Sequence, residues 1–519
     1  VPAWGIKRAY EFLFAAPLRP EKSWGRIKPS GRPRPFAPDS SPKEKQEHAM
    51  HTSFRNTAHG GRPFVLAALG LAIAGALIAP QAHASSFQLK EDSAQAMGRA
   101  YAGSATAGGD VSVVANAPAA MSDLKGTYVE ADVTAINFSA NFTGTAHDVL
   151  GSPISGGNGG DAGTTMPVPS FFFATQLTDR LHVGAAITVP FGFKTEYDNN
   201  WVGRYNSIYS KFESLDGTMS ASFDVTDNFS IGGSAIAQHT NATLTNAINF
   251  SSVALGLVGP GTAVNLPVQS VYGLVPPGSD GLARISGSSW AWGWQAGAYW
   301  KLDPQDRFSF NYRSKISHRL QGTANFNVPQ NVQVLVGQLA PVLGLSPSEL
   351  PFQHTTGTAV FTTPAVASAS YWHQEDKFGF GVDVDWTQWD LFKDLTVNYG
   401  NPAQPSTTQA FNWHNSWYFA VGGDYYLTDK LTLRGGLGYD TTPTYAATRE
   451  PRVPDETRKL LSVGLGYKAT EHFSINASYA HIFVNRAAIN GVVSATGDTL
   501  SGSYDDAGNL FALSGVYKF

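Results

Sequence analysis

LHVGAAITVPFGF, Leu181 to Phe193, alternates without a slip. Leu181, Val183, Ala185, Ile187, Val189, Phe191 and Phe193 fall on one face of an extended chain, and His, Gly, Ala, Thr and Pro fall on the other. The second face is too small and too polar to fill the core of a sandwich. It suits the wall of a lumen, with the apolar face turned to lipid. The same grammar recurs in FGFGVDVDW, with Phe378, Phe380, Val382, Val384 and Trp386 opposite Asp383 and Asp385. It returns in KLTLRGGLGYD (Leu431, Leu433, Leu437, Tyr439) and LLSVGLGYK (Leu461, Val463, Leu465, Tyr467).

Between such runs the connections alternate in length. Short polar turns begin at Thr178, Thr226, Asp303, Gln374, Thr428 and Thr470. Longer polar or Gly/Pro-rich stretches lie between them: Gly144–Met166, Lys194–Tyr209, Thr245–Ser288, Asn327–Thr358, Gly400–Gln409, Thr442–Thr457 and Asn485–Gly508. Tight turns at one end and long loops at the other are the pattern of a bacterial outer-membrane barrel. The fold class expected is therefore all-β, a transmembrane antiparallel β-barrel of about fourteen strands over residues 124–519. Composition agrees, with only 15% charged residues and 12% aromatics, against about 25% charged in soluble domains. Trp290, Trp292, Trp294 and Trp300 read as girdle residues at the lipid interface, and NLFALSGVYKF ends the chain on a strand whose Tyr517 and Phe519 share one face. With no cysteine, disulfides play no part, and a formal net charge of −4 gives no footing for nucleic acid.

The start of the chain reads differently. FVLAALGLAIAGALIAPQAHA, Phe64 to Ala84, has a short apolar run, Arg55 and Arg62 before it and Ala82-His83-Ala84 at its end. Residues 50–84 are expected to be a signal peptide, the alternative being an anchor helix. Residues 1–49 are basic and Pro-rich without periodicity, and Met50 is a sensible initiator, so they are expected to be an unstructured upstream extension. SSFQLKEDSAQAMGRAYAG, Ser85 to Gly103, is polar and small-residued, with Phe87, Leu89 and Met97 as lone apolar anchors. A barrel of this width leaves a hole unless something fills it. Residues 85–123 are therefore expected to form a plug inside the lumen, the alternative being a disordered periplasmic terminus.

Two further features concern traffic through such a barrel. Pro190 lacks the N–H a ladder needs and is followed by Gly192, so Pro190, Phe191 and Gly192 mark either a break in the wall or simply the end of the membrane crossing. In VQVLVGQLAPVLGL, Val332, Leu335, Val336, Leu339, Val342 and Leu343 share a helical face, and Ser346-Pro347-Ser348-Glu349 reads as a capping box. Val258 and Leu274 are apolar residues of the other long loop. Such loops either pack on each other or offer a greasy capture surface. An enzyme, a lipase for instance, would need a converging nucleophile, base and orienter. The sequence has neither G-x-S-x-G nor H-E-x-x-H, and nothing in it calls for a cofactor or a metal. A general diffusion porin fits poorly with a plug and apolar loops.

The plug sequence and Ala117-Pro118-Ala119 resemble the start of the FadL-type outer-membrane transporters of long-chain fatty acids. The resemblance continues through PFGFKTEYDNNWVGRY (Pro190–Tyr205), NYRSKISHRLQG (Asn311–Gly322), LRGGLGYDTTP (Leu433–Pro443) and REPRVPDETRKLLSVGLGY (Arg449–Tyr467). It implies a fourteen-stranded barrel in the outer membrane of a Gram-negative bacterium, surrounded by lipid and lipopolysaccharide. It further implies a hydrophobic small molecule as substrate, a movable hatch that includes Gly98, Arg99, Tyr101, Gly103, Asn116 and Pro118, and a lateral gate at a kink in the third strand. Relatives carry Asn-Pro-Ala where this chain has Asn116-Ala117-Pro118-Ala119. Fatty-acid-binding members meet the carboxylate with basic residues in the barrel, yet Phe229 to Phe250 holds no Lys or Arg. Other members carry aromatic hydrocarbons, and the sequence leaves both substrate classes open.

Overall fold

The alternation first seen at Leu181 runs round a closed wall. In the computed structural model, which describes residues 86–262, 264–342, 346 and 350–519, fourteen antiparallel strands form one barrel. The expected upstream extension and signal peptide lie outside the described residues, as do Pro347, Ser348 and Glu349 of the expected capping box. The first six strands are β1 (Thr127–His147), β2 (Thr165–Gln176), β3 (Leu181–Thr188 and Gly192–Glu196), β4 (Tyr209–Thr226), β5 (Phe229–Asn249) and β6 (Asp280–Lys301). β7 (Asp306–Arg313 and Ile316–Asn327), β8 (Thr355–Thr363 and Val366–Gln374), β9 (Phe378–Thr387 and Asp394–Tyr399) and β10 (Thr407–Ala410 and Ser416–Tyr426) are each interrupted once. β11 (Leu431–Asp440), β12 (Arg458–Lys468), β13 (Phe473–Val484 and Ala487–Val493) and β14 (Thr499–Lys518) complete the circuit. β14 pairs with β1 from Tyr128↔Lys518 to His147↔Thr499, so the sheet has no terminal edge.

Side chains divide as the pattern demands. Along β3, Leu181, Val183, Ala185 and Ile187 turn outward while His182, Gly184, Ala186 and Thr188 are more deeply buried inside. Trp290, Trp292 and Trp294 stand on the outer surface at 65%, 77% and 53% exposure, which removes the need to find hydrogen-bond partners for three indoles in a core. Phe511, Leu513, Tyr517 and Phe519 do the same on and just past β14.

Two expectations change. Several stretches read as long loops are strand: β5 continues to Asn249, β6 starts at Asp280, and between Asn485 and Gly508 the chain makes a tall hairpin of β13 and β14. Polar alternation on both faces, above the lipid, hides strands from a reading keyed to an apolar face. The second change is at Phe191. Alternation puts it outside with Leu181, but it is 1% exposed and faces inward, because the strand is interrupted at Val189–Phe191 and resumes with its pairing altered.

Inside the barrel lie residues 86–124, with two single-turn helices, α1 (Ala94–Met97) and α2 (Val113–Asn116), and a 3-10 turn at Pro118–Asp123. Their backbone touches the wall where the wall has glycine. A Cβ on Gly436 would stand 2.1 Å from the Arg99 carbonyl oxygen, and one on Gly464 would stand 2.8 Å from the Cα of Gly98. Gly103 has φ +67°, and a Cβ there would meet the Trp372 ring at 2.4 Å. The inward glycines that disqualified a sandwich core are contact points for this segment.

Candidate functional site

The local chemistry of β2 and β3 decides where the wall is incomplete. Phe171–Gln176 of β2 pairs with His182–Ile187 of β3. Above that, Thr165–Ser170 remains bonded to β1 and Gly192–Glu196 to β4, and no register joins the two segments. The sequence prevents it. Gln176 donates to Gly126, and Thr164 accepts from Phe138, so even-numbered residues of β2 turn their backbone to β1. Odd-numbered ones turn to β3, and among these are Pro167 and Pro169, which have no N–H. Pro190 removes another donor from the opposite edge.

The orphaned groups of β3 find another partner. The N–H of Leu89 donates to the Pro190 carbonyl at 2.8 Å, and the N–H of Gly192 donates to the Phe87 carbonyl at 3.0 Å. Gln88 and Phe191 form the antiparallel bridge between them. Phe191 meanwhile keeps its bonds to Ser214 of β4, its N–H donating to Ser214 Oγ at 3.1 Å. Residues 87–89 thus take the place that β2 leaves vacant, but on the inner side of the wall.

Phe87 is buried in an aromatic pocket. Its ring centroid lies 4.8 Å from Trp389, 5.3 Å from Phe193, 5.3 Å from Phe212, 5.7 Å from Trp413, 6.1 Å from Phe361 and 6.4 Å from Phe191. Val453, from the loop between β11 and β12, packs on the same cluster. The indole Nε1 groups of Trp389 and Trp413 are buried without an acceptor. Each such orphan costs about 1–3 kcal/mol, which marks a pocket shaped for more than packing.

Polar contacts hold the rest of the segment. Ser86 N–H donates to Asp455 at 3.2 Å, and Lys90 pairs with Asp385. Ser104 donates to Asp383 from both N–H (3.0 Å) and Oγ (3.2 Å). Arg99, fully buried, reaches Asp424 at 3.0 Å and lies over the Trp372 ring. Tyr101 packs edge-on to Tyr418, Asn116 donates to Asp92 at 3.0 Å, and Pro118 opens the turn that meets Gly232. Asp383 and Asp385, which sequence alone left as ordinary lumen carboxylates, are the segment's docking points. A cavity of about 120 Å³ runs from this docking zone to the break, lined by Lys90, Asp385, Arg313, Leu89 and Pro190 among others.

The two long loops meet each other. Val332 is buried, with Leu335 and Val336 half-buried, all on helix α5 (Gln330–Val342), and they pack with Phe250, Val253 and Leu257 of helix α3 (Phe250–Val258). Val258 is half-buried, and Leu274, at the end of helix α4 (Val268–Leu274), is 45% exposed. The side chain of Leu339 lies outside the described residues. Of the two expectations for these loops, mutual packing accounts for Val332, Leu335 and Val336, and Leu274 is left open to solvent.

Sequence reasoning missed Pro167, Pro169 and the pocket formed by Phe212, Phe361, Trp389 and Trp413. The first pair had a signal: TMPVPS places two prolines at one parity of a strand. The pocket had none, because these four rings come from four separate stretches of chain.

Comparison with known proteins bears on what such a barrel does. The model of the outer membrane protein transport family (OMPP1/FadL/TodX) matches residues 75–519. A long-chain fatty acid transport protein of Escherichia coli is 26% identical over 419 residues, 79% of this chain and 90% of that protein. The crystal structure of a Pseudomonas aeruginosa FadL homologue superposes with a TM-score of 0.76 at 31% identity, covering 84% of this chain and all of the other. The Pseudomonas putida toluene transporter TodX shares the fold at 19% identity, with a TM-score of 0.56 over 79% of this chain and 94% of that one. The chain therefore belongs to the OMPP1/FadL/TodX family of bacterial outer-membrane proteins that transport hydrophobic compounds.

Proposed function

We propose that the protein takes up long-chain fatty acids and releases them sideways into the outer membrane between β2 and β3. The observation that carries this reading is the position of Phe87. Its ring fills an apolar pocket, and the stretch Phe87 to Leu89 bonds the break in the wall. A ligand that displaces the ring unties the break. Residues 86–123 then act as a hatch whose tip reports occupancy of the pocket, and the exposed apolar surface around Leu274 serves first capture. The likeness to a fatty acid transporter over 90% of that protein's length supports the substrate class.

Energetics favour the lateral route. At about 0.8 kcal/mol per methylene, a sixteen-carbon chain gains on the order of 12 kcal/mol on leaving water. A watery pore returns that energy as a barrier, and a closed pocket becomes a trap. Passage from pocket to lipid keeps the chain in apolar surroundings throughout. Lipid and lipopolysaccharide around the outer wall are accordingly the receiving phase and the barrel's partners.

A second reading, uptake of monoaromatic hydrocarbons, is favoured by one feature: the pocket is built of aromatic rings, which stack on aromatic solutes. Competition binding on the detergent-purified protein, oleate against toluene, separates the two. Preference for oleate supports the first reading, preference for toluene the second, and binding of neither overturns both.

A further inference from the structure

The other interior arginines of the site each face a carboxylate: Arg313 pairs with Asp216 at 2.5 Å, Arg449 with Glu456 at 2.7 Å and Arg458 with Asp455 at 2.7 Å. Arg452 does not. Its Nη1 donates to Ser210 Oγ at 3.0 Å and its Nη2 to Asn246 Oδ1 at 3.2 Å, both neutral acceptors. Among the described residues no carboxylate lies within ion-pairing distance of it. The acid nearest in charge is Glu450, which is buried and accepts from Gln409 Nε2. Burial raises the Glu450 pKa to about 8, so at neutral pH this group largely keeps its proton and supplies little counter-charge. Desolvation pulls the guanidinium's own pKa down, and the charges of Glu450 and Tyr197 offset that only in part.

Its place is as telling as its isolation. Ser210 and Phe212 both turn inward on β4 and are two residues apart, which separates them by roughly 7 Å. Phe212 is the ring 5.3 Å from Phe87, and Val453, next in sequence to Arg452, packs in the same pocket. The guanidinium therefore stands one rung above the aromatic pocket, with donors beyond the two already engaged. A guanidinium matches a carboxylate in a two-pronged, charge-assisted geometry. Asn246 and Ser210 hold it in place without neutralising it.

We propose that Arg452 is the headgroup anchor: it binds the carboxylate of an amphiphilic acid whose hydrocarbon chain occupies the pocket vacated by Phe87. This rests on the uptake reading above and sharpens it, since it makes the site selective for ionised acids over uncharged hydrocarbons and esters. The cation comes from the loop between β11 and β12 and reaches the Asn246 segment of β5, which carries no basic residue of its own.

The test is binding of oleate and of methyl oleate to the full-length protein in maltoside micelles at neutral pH, where Glu450 largely keeps its proton, for the wild type, Arg452→Gln and Arg452→Lys. The wild type is expected to prefer oleate, and Arg452→Gln to lose about ten- to hundredfold in oleate affinity with methyl oleate unchanged. Arg452→Lys is expected to recover part of the preference. Heat-shifted electrophoretic mobility confirms that each variant is a folded barrel. Oleate binding to a folded Arg452→Gln at wild-type strength overturns the anchor. Equal wild-type affinity for acid and ester also overturns it while leaving the pocket reading intact. Failure of the wild type to bind either ligand overturns the pocket reading, and the anchor with it.

Discussion

Two strands of this barrel are broken at a proline, and the breaks have opposite consequences. In β8 the interruption is Pro364-Ala365, between Thr363 and Val366. Both halves keep both neighbours: the upper pairs with β7 and β9, the lower with β7 and β9 again, and the Gln388 N–H reaches across to the Ala365 carbonyl at 2.9 Å. In β3 the upper half keeps β4 as its only partner strand, with one bond from the Glu196 N–H to Ala162 (3.0 Å) just before β2, and Pro190 and Gly192 turn their bonds inward to Leu89 and Phe87. A proline alone does not open a sheet. What opens it is a facing strand that also lacks donors, here Pro167 and Pro169, together with an internal segment able to take the orphaned bonds.

The sharpest way to break this comparison is to make the inner bonds permanent. The chain has no native cysteine, and Gln88 and Phe191 are bridge partners, close enough for a disulfide. Oxidised Gln88→Cys/Phe191→Cys should abolish fatty acid uptake in cells and reduction should restore it. The matched pair Ser317→Cys/Thr362→Cys, across the β7–β8 register beside Pro364, should transport equally well in either state. Next in size is restoration of the ladder. Pro167→Thr/Pro169→Thr/Pro190→Ala returns three donors to the facing edges, and uptake should fall about tenfold with pocket affinity retained. Uptake at the wild-type rate from this variant, folded and with its new pairing shown by slowed amide exchange, would falsify lateral release.

Phe87→Ala sharpens the same contrast from the hatch side. Removing a buried Phe ring costs about 3–5 kcal/mol, here taken from docking of the tip rather than from the barrel. Because the ring competes with ligand for one pocket, apparent affinity for oleate should rise about tenfold as the competent state becomes the resting one. Quenching of Trp389 and Trp413 fluorescence follows the titration. Unchanged affinity would mean that ring and ligand do not share the site.

How much of this was legible beforehand depends on whether a feature is local. Alternation at Leu181–Ile187, Phe378–Trp386 and Leu461–Tyr467 is local, and from it the barrel, its facing and its strand number follow. Pro190 was visible as an anomaly, but its meaning needed Pro167 and Pro169 across a gap that only the register defines. Phe191 was assigned to the wrong face because a period-2 reading carries through a break it cannot see. Arg452 is invisible in sequence: it is one of 36 basic residues, and only its neighbours distinguish it from Arg449 and Arg458 on the same loop. Val332 and Leu335 pack on Phe250 from a loop some eighty residues away, a choice of partner that helical spacing does not encode.

The smallest expected effect is the one on which the comparison finally depends. Pro364→Ala gives β8 a backbone N–H at a position buried within the wall, and the strand's neighbours are already in place on both sides. The new donor either joins the β8 ladder or stays unpaired, so stability should shift by about 1 kcal/mol in either direction. Uptake should stay within about twofold of wild type, because no bond to the hatch passes through this point. If Pro364→Ala slowed uptake as much as Pro167→Thr/Pro169→Thr/Pro190→Ala, interrupted strands in general would be tuning transport, through barrel flexibility rather than through a slot. If only the triple variant does so, the slot between β2 and β3 is the route, and the difference between Pro190 and Pro364 lies in what faces them.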